Sequence, residues 1–185
     1  IGGNALDIAT TYRTTAIGYN CMTNLTTAQY NVGVGYDVLQ AETDGVNNTA
    51  VGYRACASQV SVSHNTGMGF VALQNSTGHT NTGFGSHALQ TNTSGDSNTA
   101  VGGQAGYYNT TGTENAFIGG DVCNGTSATA SNEFTLGGDS VASLRCNDTT
   151  ISSLSDERDK TNITDLPDSA GLDLINSLRP VTYYW

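Results

Sequence analysis

Nine glycines recur along this chain at a nearly constant interval: Gly2, Gly18, Gly35, Gly52, Gly69, Gly85, Gly102, Gly119 and Gly137. The successive gaps are 16, 17, 17, 17, 16, 17, 17 and 18 residues. So short and steady a period marks a repeat architecture, in which each unit covers its apolar face only by stacking on its neighbours. The pattern extends beyond the glycines. The residue before each is apolar: Ile1, Ile17, Val34, Val51, Met68, Phe84, Val101, Ile118 and Leu136. Two before, Ala or Gly recurs, as Ala16, Gly33, Ala50, Gly67, Gly83 and Ala100. Four before, Asn recurs, as Asn31, Asn48, Asn65, Asn81, Asn98 and Asn115. Three and four after come a small and an often apolar residue, as in Val38-Leu39, Ala55-Cys56 and Ala88-Leu89.

A strand plus a crossover helix needs about 30 residues, so this period is too short for a βαβ unit. It suffices for one coil of a β-solenoid. Asn48-Thr49-Ala50-Val51-Gly52-Tyr53 reads as a short strand ending at a turn. Thr and Val favour strand, Gly takes a backbone conformation that other residues avoid, and Asn and Gly punctuate. No segment of the repeats sustains a helical period. The expected fold is all-β: a parallel β-solenoid or β-roll over residues 1–139, with two short strands per coil. The apolar position before each glycine is expected to stack inward. The Ala/Gly column is expected to mark close approach between chains. One thin polar coil buries little, so the arrangement expected is a homotrimer of solenoids sharing a core.

Composition narrows the function classes. Gly, Thr, Asn and Ser make up 84 of 185 residues, only 12% are charged, and the net charge is −10. That excludes a charged helical bundle. Six basic residues against sixteen acidic ones oppose nucleic-acid binding. No run of about 18 apolar residues is present for membrane insertion. The chain opens on Ile1 with no basic-then-apolar leader, and so reads as a piece of a longer protein.

Few residues in the repeats carry chemistry. Tyr19, Tyr36, Tyr53 and Phe70 follow the glycine in consecutive coils. Such a ladder either stacks on itself or offers rings for glycan stacking. His64, His79 and His87 fall at different repeat positions and form no column. Cys21, Cys56, Cys123 and Cys146 lack metal-ligand spacing, so no metal and no cofactor is expected. Cys56 and Cys123 both stand four after the glycine, four coils apart and too distant to bridge, and read as buried small hydrophobes.

The composition then shifts. Residues 1–150 carry 13 charged side chains and residues 151–185 carry 9; both prolines, the sole Lys160 and the sole Trp185 lie in the tail. We divide the chain into repeats at 1–139, a linker at 140–154 and a distinct segment at 155–185. Within it, Leu172, Ile175 and Leu178 suit a short amphipathic helix, and Val181–Trp185 a strand.

Two resemblances follow from these residues. The Asn-Thr-Ala-Val-Gly-Tyr pattern resembles the head repeats of trimeric autotransporter adhesins and, more closely, repeats in the distal shafts of phage tail fibres. The run Ser155-Asp156-Glu157-Arg158-Asp159-Lys160-Thr161-Asn162-Ile163, with Leu178-Arg179-Pro180-Val181-Thr182-Tyr183 downstream, resembles the self-cleaving intramolecular chaperone that ends phage endosialidases, tailspikes and tail fibres. That resemblance implies an α+β chaperone beginning at Ser155 and a homotrimeric fibre. It implies a virion location after assembly in the host cytoplasm. The partner it implies is a host cell-surface glycan or outer-membrane component. It makes Ser155 the cleavage-site serine, Lys160 its basic partner and Ser155–Asp156 the bond cut. The enzymology would be at most one self-cleavage per chain, an acyl transfer followed by hydrolysis. A serine hydroxyl needs a base, and lysine serves only when desolvation keeps it neutral. The alternatives are the stem of a tailspike depolymerase or the head of a bacterial adhesin.

Overall fold

The computed structural model describes residues 2–6, 13–122, 128–138 and 141–143. The chain divides into two compact units, Ile1–Ser143 and Leu144–Trp185, and the description concerns the first. Eight three-residue strands follow one another: β1 (Thr15–Ile17), β2 (Val32–Val34), β3 (Thr49–Val51), β4 (Thr66–Met68), β5 (Thr82–Phe84), β6 (Thr99–Val101), β7 (Ala116–Ile118) and β8 (Phe134–Leu136). They form one parallel sheet in chain order. Pairing keeps the repeat register, so Thr49, Ala50 and Val51 face Thr66, Gly67 and Met68. This is the expected parallel β-solenoid.

Each coil contributes one strand among the described residues, where two were expected. The rest of the coil is turn, and its backbone explains why a second strand is not needed. In the seven coils from Gly2 to Gly102 the second and fourth residues after the register glycine both have positive φ, as in Arg54 at 51° and Cys56 at 55°. The Arg54 N–H donates back to the Tyr36 carbonyl at 2.8 Å, and the Cys56 N–H donates forward to Ala72 at 2.9 Å. Alternating in this way, the turns bond both neighbouring coils without strand geometry.

The strand middle points inward. Ala16, Ala50 and Ala100 are buried, while Ile17, Phe84 and Val101, each preceding the glycine, are 42, 52 and 39% exposed. The column expected inside is therefore outside. The reason is the two-residue period of a strand: with the small position inward, its neighbours on both sides must point out. The small column also has a different cause from the one expected. A Cβ on Gly67 would lie 2.5 Å from the Cys56 Sγ, and one on Gly33 would lie 2.6 Å from the Met22 Cε. These positions are small because side chains of their own chain fill the coil, not because chains meet there.

The core is a stack of Met22, Leu39, Cys56, Leu73 and Leu89, with Leu25, Val38 and small residues around it. One exchange confirms how tightly volume is conserved. Gly106 stands where the coils before it carry Leu, Met or Cys, and Phe117 stands where the strands before it carry Ala or Gly. A Cβ on Gly106 would lie 2.7 Å from the Phe117 ring. The ring from one column fills the gap left in the other, as close packing requires.

Buried asparagines hold the coils in register. The Asn48 carboxamide donates to the Val62 carbonyl at 2.7 Å, closing its own coil, and its Oδ1 accepts from the Asn65 N–H at 2.9 Å in the next. Asn31, Asn65, Asn81 and Asn98 repeat both bonds. A second interior column reads Leu25, Glu42, Gln59, Ser76, Asn92 and Asn109, all buried. In it the Glu42 Oε1 accepts the N–H groups of Thr43, Gly45 and Ser61 at 2.9, 2.8 and 2.7 Å, and its Oε2 accepts that of Val62 at 3.4 Å.

Candidate functional site

The outward face of the sheet is the surface most unlike the rest of the chain. Three columns run along it. The first begins each strand: Thr15, Val32, Thr49, Thr66, Thr82, Thr99, Ala116 and Phe134. The second ends each strand, from Ile17 to Leu136. The third follows the glycine: Tyr19, Tyr36, Tyr53, Phe70, Ser86, Gly103, Gly120 and Gly138. None of these 24 positions is charged, although the chain carries a net −10. Asp37, Asp44, Asp96, Glu114, Asp121 and Glu133 all lie in other columns.

The four rings of the third column stack on one another. Centroids are 5.4 Å apart for Tyr19–Tyr36, 5.4 Å for Tyr36–Tyr53 and 5.3 Å for Tyr53–Phe70, with interplanar angles of 16, 10 and 11°. Strand spacing sets this distance, since each ring rides on the same position of successive coils. The inner rings, Tyr36 and Tyr53, have a neighbour over each face, so they present edges and hydroxyls outward. Asp37 beside Tyr36 pushes that phenol above its ordinary value, which keeps it a hydrogen-bond donor. The ladder turns aside at the fifth coil. There Ser86 replaces the ring, its hydroxyl lies 2.7 Å from the His87 Nδ1, and His87 tilts at 52° against Phe70.

Other candidates stay in structural roles. The His79 Nδ1 accepts the Ser63 N–H at 3.1 Å, and His64 lies 3.3 Å from the Asn47 amide. Cys21 and Cys56 are free and buried. Burial, with the Glu42 carboxylate nearby, pushes the Cys56 thiol far up and keeps it protonated and inert. Ser155, Asp156 and Lys160 lie outside the described residues.

Sequence reasoning missed the charge-free face because it turned the apolar column inward. A signal was present. Thr stands at the first strand position in five coils, and residues two apart on a strand share a face. Polar Thr therefore places its apolar partner outside as well.

Residues 155–185 match the family described as the chaperone of endosialidase. The match begins at Ser155, where the resemblance placed the start of that segment. No curated protein and no solved structure matches the chain. A parallel β-solenoid ahead of such a segment fits the endosialidase-type fibre with a chaperone domain that the resemblance implied.

Proposed function

We propose that this chain is a distal segment of a homotrimeric phage tail fibre, assembled by its C-terminal chaperone and used for attachment to a host cell surface. The observation that carries the reading is the charge-free apolar face on an acidic solenoid whose tail matches the chaperone family. Exposed Ile17, Val101 and Leu136 lose contact with water only if something covers them. Three copies of the same face meet without like-charge repulsion, and parallel solenoids keep equal coils level. The ligand is a surface glycan or outer-membrane component. Purified trimer should bind host cells and compete with virions for adsorption. A trimer that does neither is not an attachment segment.

Neighbouring substitutions test the assembly. Val51→Asp places a charge on the outer face, so a folded single chain is expected in sedimentation, with the β-type circular dichroism retained. Ala50→Asp places an unpaired charge in the buried column and should leave no folded chain. A Val51→Asp protein that still sediments as a trimer removes the outer face as the interface.

The chaperone segment should cut itself at the Ser155–Asp156 bond in the full-length protein. Ser155→Ala and Lys160→Ala should each leave an uncut chain that still trimerises, as read by mass spectrometry. Normal cutting in Lys160→Ala would exclude that lysine as the base.

A further inference from the structure

We infer that the three chains approach one another most closely beside Val101–Gly103 and Ile118–Gly120, so that the fibre narrows over its sixth and seventh strands. The inference rests on the trimeric reading above and names where its contact lies.

The column after the glycine is bulky in β1 to β4 coils and then empties. Tyr19, Tyr36, Tyr53 and Phe70 give way to Ser86, Gly103 and Gly120. At the change, aromatic bulk moves across the face. Phe84, before the glycine, is the only ring in its column, and it stands beside Ser86, the first small residue of the other. Phe84 is half exposed, so its own chain does not use that bulk. In the next coils both columns are slim, with Val101 beside Gly103 and Ile118 beside Gly120.

Among the described residues, nothing asks for glycine at position 103. A Cβ there would meet no heavy atom within 4 Å, and the φ is not in the left-handed region. At Gly120 the nearest atom, the Gly103 carbonyl oxygen, would be 3.8 Å away, an ordinary contact. The register glycine Gly102 differs, since its Cβ would lie 2.3 Å from the Gly119 oxygen. Glycine costs backbone entropy wherever it is not needed. An unneeded glycine, flanked by exposed Val101 on a charge-free apolar face, fits close approach by another backbone. The occupant is a second copy of this chain. In a cyclic trimer of parallel chains every coil meets its own equivalents, so the slim levels of all three coincide. Val101 of one chain then seats against the Gly103 backbone of the next.

The experiment uses the full chain with its chaperone segment and three variants: Gly103→Trp, Gly103→Cys, and Thr111→Trp as an exposed control in the same coil. Each is followed by sedimentation and by dissociation on heating in detergent. Overpacking at the contact should speed dissociation of Gly103→Trp about tenfold or more, while Thr111→Trp matches the parent. Gly103→Cys should form interchain disulfides under mild oxidant, because bridging needs Cα atoms within about 7 Å. A trimeric parent whose Gly103→Trp dissociates at the parental rate, or whose Gly103→Cys stays uncrosslinked, overturns the close approach and leaves the trimer standing. A monomeric parent overturns the trimeric reading itself.

Discussion

Gly52→Val should yield no folded protein. Gly52 has a φ of 130°, a region that valine does not occupy. A Cβ there would lie 2.5 Å from the Gly69 carbonyl oxygen, which is backbone and cannot swing away. Neither cost can be relieved by a rotamer change. The coil would have to separate from the next, parting β3 from β4 in the middle of the sheet. Solenoid stability is a sum over coils and their contacts, so an opened contact divides the array into two short pieces, each weaker than the whole. Soluble yield and circular dichroism decide the matter. A Gly52→Val protein melting at the parental temperature would contradict the coil geometry.

Glu42→Leu should destabilise by about 2–4 kcal/mol, since the buried N–H groups of Gly45 and Val62 lose their acceptor at roughly 1–3 kcal/mol each and the half-buried ones of Thr43 and Ser61 lose less. Size is not the obstacle, because Leu25 occupies the same column one coil earlier and is equally buried. Glu42→Gln separates charge from hydrogen bonding. Its one carbonyl oxygen can take the place of Oε1 and keep the bonds from Thr43, Gly45 and Ser61, losing only the long one from Val62. A cost of about 1–2 kcal/mol is expected. Urea unfolding of both variants measures the difference. Equal stability of Glu42→Leu and the parent would mean that the carboxylate is not the hub of this turn.

The period alone led to the solenoid, because only stacked coils satisfy a 17-residue glycine register. The inside and outside of the strand were harder to read. Val51 is apolar and Ala50 small, so hydrophobicity ranked Val51 as core; what decided otherwise was volume. The interior of so thin a coil is already filled by residues such as Cys56 and Leu73, leaving room for Ala or Gly opposite. That competition is between columns distant in the repeat, and a single coil does not reveal it. Phe117 with Gly106 shows the same rule from the other side. The stacking of Tyr19, Tyr36, Tyr53 and Phe70 was legible because one position in one register must stack at strand spacing. The turn conformations were not, since Leu73 and Val71 give no sign of the positive φ they adopt. The Asn column was visible as a motif, but its two bonds per residue emerge only when coils are stacked.

That Asn column leaves the length of the rod free. Each Asn bonds only within its own coil and to the coils next to it, so no bond reports how many coils exist in total. Whole coils could be duplicated or deleted in evolution with the Asn bonds at each junction unchanged. Tolerance within a coil is narrower but real. The Asn65 amide reaches the Gly78 carbonyl across 13 residues at 2.9 Å, where Asn48 spans 14 to Val62 at 2.7 Å. The missing residue is taken from the outer turn, which has Thr77 alone between Ser76 and Gly78 but Val60 and Ser61 between Gln59 and Val62. Length should therefore change by multiples of the full period anywhere in the array, and by single residues only outside the strands.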